Sequence, residues 1–178
     1  MTVFNVAGLL REPPGAERHQ RLRDHYVTLG PDVELAGPLN GELRLQRTNR
    51  GILVRGQVNA SVRRTCARCM EPFVEDVTVS VSEEFLPSID PESGTALPDP
   101  GDDETVMRID DHHELGLTAV LHDEFALSEP MHPLCRSDCP GLCPDCGLPR
   151  SADHAAHATD EIDPRLAGLA RLLDRDLN

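Results

Sequence analysis

Between residues 32 and 86, apolar and polar positions alternate over long stretches, the period of strands with one buried face. The cleanest run places Phe73, Val77, Val79, Val81 and Phe85 at odd positions, with mostly polar residues between them. Upstream, Val33 and Leu35, then Leu43 and Leu45, alternate with charged residues. Thr48-Asn49-Arg50-Gly51 supplies turn residues, and Ile52–Val58 continues with β-branched side chains. Residues 3–10 read as an opening strand and Arg11–Gly15 as a turn. Residues 16–25 are polar and rich in Arg and His, with too little apolar periodicity to assign. The pattern predicts an antiparallel meander of about five or six strands.

Beyond the alternating segment the signal changes. Residues 87–103 are Pro, Gly, Ser and Asp with no apolar face, which predicts a mobile acidic loop. Thr105–Ile109 reads as one more short strand. Leu117, Val120, Leu121 and Phe125 then fall at helical spacing, with Asp111 as a cap and Glu114 three residues on, so a helix is expected over about 112–128, ending before Pro130. Asp163-Pro164 followed by Leu166, Leu169, Ala170, Leu172 and Leu173 predicts a short C-terminal helix. The expected fold is α+β: mainly an antiparallel β meander or barrel-like sheet with one packed helix, a C-terminal zinc knuckle and a short terminal helix. The expected division is a β-rich domain over 1–130 and a knuckle segment with terminal helix over 131–178.

Composition narrows this picture. Aromatic residues make up 3% of the chain and Trp is absent, so the core is built from Val, Leu, Ile and Ala. The net charge of −14 is unevenly spread. Residues 1–70 hold eleven Arg against six acidic residues, residues 71–178 hold six Arg against twenty-five, and there is no Lys. That balance argues against a sequence-independent nucleic-acid coat, which needs a positive field, but leaves room for a local Arg-rich contact. The N-terminal stretch lacks the pattern of a signal peptide and no apolar run reaches about 18 residues, so a cytoplasmic location is expected, with no membrane partner.

The six cysteines carry the chemistry. Cys135, Cys139, Cys143 and Cys146 fall within twelve residues, interrupted by Pro140-Gly141 and Pro144, and Gly147 follows the last. Gly141–Gly147 has the composition of a zinc knuckle, in which two thiolates converge on one ion. Structural zinc takes four ligands in a tetrahedron, and its binding supplies folding free energy to a chain poor in aromatics. Cys135, Cys139, Cys143 and Cys146 are therefore the expected ligands of a structural Zn²⁺. Cys66-x-x-Cys69 is a second half-site: sharing one ion with Cys143 and Cys146 as a ribbon, it leaves Cys135 and Cys139 spare, and His154 and His157 are further alternative ligands. A thioredoxin-type redox pair at Cys143 and Cys146 is disfavoured because no βαβ unit surrounds that C-x-x-C.

The segment Cys66-Ala67-Arg68-Cys69-Met70-Glu71-Pro72-Phe73 resembles the C-x-R-C-x-x-P-F signature of the YceD family. Cys135–Gly147 is similar to the C-terminal cysteine element of that family's actinobacterial branch, and Ile162-Asp163-Pro164-Arg165-Leu166 to its C-terminal end. The resemblance implies an accessory role in accumulation of large-subunit ribosomal RNA, without catalysis. The implied partners are precursor ribosomal RNA or ribosomal proteins, with no small-molecule substrate. Arg55, Arg63, Arg64 and Arg68 are the candidate RNA contacts, part of a run of seven Arg between residues 44 and 68. No G-x-S-x-G elbow, P-loop or dinucleotide fingerprint is present. The acid and His run Asp110–Glu114 is explained by a helix start rather than by an active site.

Overall fold

The computed structural model describes residues 2–98, 106–150 and Arg165. The alternating segments pair into one eight-stranded sheet that curls into a half-barrel. Its strands are β1 (Val3–Asn5), β2 (Glu17–His25), β3 (Glu34–Leu35), β4 (Leu39–Arg47), β5 (Ile52–Thr65), β6 (Pro72–Pro87), β7 (Met107–Ile109) and β8 (Glu114–Gly116). The order is β1-β8-β7-β6-β5-β4-β2, with β3 added on β5, and every pairing is antiparallel except β6 with β7. A short helix α1 (Ala7–Leu10) follows β1, and α2 (Thr118–Leu127) follows β8. The fold is thus the expected α+β arrangement of a mainly antiparallel sheet with a packed helix.

The β5–β6 pair is the spine, in register from Ile52↔Phe85 to Thr65↔Pro72. Because side chains alternate across a strand, Val54, Val58, Val79, Val81 and Phe85 reach one face. There they bury with Leu43 and Leu45 of β4 and with Val120, Leu121 and Phe125 of α2. Leu9 and Leu10 of α1 complete this core. Among the described residues, no helix is long and apolar enough to cross a membrane.

Several local expectations are corrected. The opening segment is a three-residue strand followed by a helical turn, not one strand over 3–10. Residues 17–25, unassigned from periodicity, form β2, an edge strand in which only Leu22 is buried. The helix expected from 112 starts at Thr118. Asp110 instead accepts backbone N–H bonds from His112 (2.9 Å) and Glu114 (2.7 Å), and Glu114–Gly116 pairs with β1. Asp110 therefore closes a turn between strands, and neither Asp111 nor Glu114 caps a helix. In the loop after β6, the Asp90 carboxylate accepts from the backbone of Glu92 and Ser93 and an Ile89↔Ala96 bridge closes the turn, while residues 99–103 of the expected mobile stretch lie outside the described residues. The expected terminal helix lies outside the described residues.

Candidate metal centre

At the far end of the spine, the chain reverses through Cys66-Ala67-Arg68-Cys69. The Cys66 N–H donates to the Glu71 carbonyl (2.9 Å), and the Met70 N–H donates to the Cys66 carbonyl (2.9 Å). Met70 takes a left-handed conformation with φ 62°. This tight turn brings the two sulfurs of a C-x-x-C together at one end of a rigid ladder.

A second segment, from residue 133 to 139, docks against that turn. The Ala67 N–H donates to the Pro133 carbonyl (2.8 Å), while the Arg68 guanidinium donates to the carbonyl of Cys139 (3.0 Å). The result brings Cys66, Cys69, Cys135 and Cys139 into one cluster, with all four sulfurs within 4.8 Å of one another. Cys66 Sγ lies 3.8 Å from Cys139 Sγ, and Cys69 Sγ lies 3.8 Å from Cys135 Sγ. These separations are far beyond a covalent S–S bond. They match the edge, about 3.8 Å, of a tetrahedron whose metal–sulfur arms are about 2.3 Å. Phe73 and Leu134 pack against the buried thiols and shield them from water. The four residues can hold a metal ion.

The electrostatics favour that use. Backbone N–H groups of Cys135 and then Cys69 point at Cys66 and lower its thiol to about 6. Burial, then the neighbouring sulfurs, push Cys135 up to about 12. One thiolate is therefore easy to form and a full set is not, unless a cation compensates the accumulating negative charge.

The set differs from the local one expected from spacing. Two of the four expected ligands, Cys135 and Cys139, join Cys66 and Cys69, which spacing offered only as alternatives. Cys143 and Cys146 are not in the cluster. Pro140 and Gly141, the latter at φ 76°, turn the chain after Cys139, and the Leu142 N–H donates to the Arg68 carbonyl (3.2 Å). The later pair therefore begins a turn of its own. His154 and His157 lie outside the described residues. The missed signal is that Cys66-x-x-Cys69 sits where two long alternating strands must reverse, a fixed half-site that needs only one partner segment.

The arginine candidates are largely committed inside the fold. Arg64 is buried, which removes it as a phosphate contact. Its guanidinium lies 3.2 Å from a Glu75 carboxylate oxygen and donates to Ser128 Oγ at the end of α2 (3.1 Å). Arg63 pairs with Glu34 at 2.8 Å, and Arg68 holds the metal-site segment. Arg55 sits opposite Arg44 on the neighbouring strand, and Arg44 pairs with Glu17.

The chain is 37% identical over 146 residues to the uncharacterized proteins Rv2926c of Mycobacterium tuberculosis and Mb2951c of Mycobacterium bovis. Those alignments cover 79% of this chain and 65% of either relative, so the chain spans about two thirds of their length. It is 29% identical over 178 residues to the uncharacterized protein ML1660 of Mycobacterium leprae, covering 98% of this chain and 79% of that one. No solved structure matches it. The model of the large ribosomal RNA subunit accumulation protein YceD matches residues 54–173, a span that takes in all of β5 but its first two residues, β6, α2 and all six cysteines, and the chain belongs to the YceD family.

Proposed function

We propose that the protein is a non-enzymatic, cytoplasmic accessory factor for accumulation of large-subunit ribosomal RNA, with a structural Zn²⁺ held by Cys66, Cys69, Cys135 and Cys139. Membership of the YceD family suggests the ribosomal role. The observation that carries the structural reading is the set of four sulfurs within 4.8 Å of one another, with two of the separations at 3.8 Å. A catalytic zinc keeps one position open for water, whereas four thiolates fill the coordination sphere. Soft thiolate donors also select zinc over magnesium or calcium. The ion then pins the β5–β6 turn to the segment after α2 and leaves recognition to the rest of the surface.

The partner favoured by the charge distribution is a basic ribosomal protein rather than the RNA backbone. Arg63, Arg64 and Arg68 are engaged within the fold, and the chain carries a net charge of −14. A net charge of that sign disfavours phosphate and favours basic segments. The test is sedimentation of lysate from cells producing tagged protein. The tag is expected to travel with precursor large-subunit particles, and large-subunit RNA is expected to fall in cells relying on a Cys66→Ser, Cys69→Ser variant. Absence from those particles, with normal RNA levels in cells lacking the protein, would favour an adaptor unrelated to ribosomes.

A further inference from the structure

The turn that serves the four-thiol centre occurs twice. Its first copy is Cys66-Ala67-Arg68-Cys69-Met70-Glu71-Pro72, and its second is Cys143-Pro144-Asp145-Cys146-Gly147-Leu148-Pro149. Both read C-x-x-C-x-x-P. In each, the N–H of the first Cys donates to the carbonyl five residues on: Cys66 to Glu71 at 2.9 Å, Cys143 to Leu148 at 2.8 Å. In each, the N–H of the residue after the second Cys donates back to the first: Met70 to Cys66 at 2.9 Å, Gly147 to Cys143 at 2.8 Å. That residue is left-handed in both, with φ 62° at Met70 and 70° at Gly147. Each turn is closed by a strand pairing one residue before and six residues after its first Cys, Thr65↔Pro72 and Leu142↔Pro149. The first Cys of each is buried.

Hydrogen bonding, backbone hand and flanking pairing all agree, so the second segment is a folded copy of the first and not a linker that happens to contain cysteines. The form has a chemical consequence. Closing a C-x-x-C this way gathers two sulfurs at one end of a hairpin, which in the first copy is half of a tetrahedral thiolate set. Gly147 relieves the backbone strain that Met70 bears, because glycine adopts positive φ without a Cβ clash. The second turn is also anchored, through Leu142 on the Arg68 carbonyl, to the back of the first.

We propose that Cys143 and Cys146 are a half-site for a second thiophilic divalent cation of the zinc type, separate from the ion of the four-thiol cluster. The pair supplies two thiolates, and a tetrahedral ion takes two further donors beside them. This inference concerns metal stoichiometry and does not depend on the ribosomal role.

The test is metal content of the full chain, purified under reducing conditions and equilibrated with zinc, followed by titration with cobalt as a spectroscopic substitute. The expected result is about two ions per chain, with two resolvable cobalt environments. Cys146→Ser, a change at an exposed position, is expected to remove one ion and leave the tetrathiolate cobalt spectrum in place. Cys69→Ser is expected to abolish that spectrum. One ion per chain in the unaltered protein would overturn the proposal. So would two ions that survive Cys146→Ser, or loss of both ions together in that variant, which would mean a single shared cluster. Failure of the four-thiol reading has a different signature, metal content indifferent to Cys69→Ser.

Discussion

The two ends of the β5–β6 hairpin are closed by different physics. At the Ile52↔Phe85 end both side chains are fully buried and the strands lie in the apolar core against α2. At the Thr65↔Pro72 end the neighbouring side chains are Phe73, half-buried, and Val74 and Glu75, both exposed, and closure falls to four sulfurs. A chain with four Phe and no Trp has too little large apolar surface to close both ends alike. One end is held by removal of hydrocarbon from water and the other by a site suited to an ion. The comparison teaches that a uniform ladder of hydrogen bonds need not be uniformly stable along its length.

The largest expected effect breaks the apolar end. Phe85→Ala is expected to cost about 3–5 kcal/mol of global stability through lost burial and the cavity left behind. Denaturant unfolding checks this, with the midpoint falling at unchanged slope. Next comes removal of the ion from the other end. Chelation is expected to leave the Ile52–Phe85 amides protected from hydrogen exchange while those of residues 64–73 and 133–139 open. Acid sharpens the same contrast. Cys66 is lowered to about 6 by N–H groups aimed at it. In the metal-free chain, stabilisation from its thiolate is full above the ordinary thiol value, near 8.5, and lost as pH falls through about 6. A bound cation moves that loss to lower pH, so exchange measured with and without zinc at pH 5–8 separates the two states.

The smallest effect lies at neither end. His122 on α2 bonds Asp32 through Nε2 and Asp123 through Nδ1, both at 2.9 Å. The bond to Asp32, then that to Asp123, raises the imidazole above its ordinary value. The same histidine, as the largest influence, lowers Asp32. The histidine's stabilisation is complete below about pH 6.5 and lost as pH rises through its raised value. The aspartate's is complete above about pH 4 and lost as pH falls through its lowered value. Thermal unfolding of His122→Gln should therefore differ from the unaltered protein most near pH 5, by less than either foregoing change.

The spine was legible because Val77, Val79, Val81 and Phe85 all hold odd positions on a strand with one buried face. Strand β2 was not, since an edge strand with one buried residue, Leu22, carries almost no periodic signal. The start of α2 was misread because Asp110, Asp111 and Glu114 imitate a cap, while Glu114–Gly116 is drawn into the sheet by β1, more than a hundred residues away. The four-thiol cluster departs from the local set for the same reason. Spacing favours ligands close in sequence, but Cys66 meets Cys139, 73 residues on, through pairings that no local window contains. Three of four candidate phosphate contacts were spent on Glu34, Glu75, Ser128 and backbone carbonyls, partners that become visible only once strands are registered.

An ion shared between the Cys66–Cys69 turn and Cys135–Cys139 closes a lasso around β6, β7, β8 and α2. A cross-link of that span is worth about 4 kcal/mol of lost freedom in the denatured chain by polymer arithmetic, the scale of a disulfide. Unlike a disulfide, this knot needs no oxidant to tie. Metal supply alone would then set how firmly half the sheet is held.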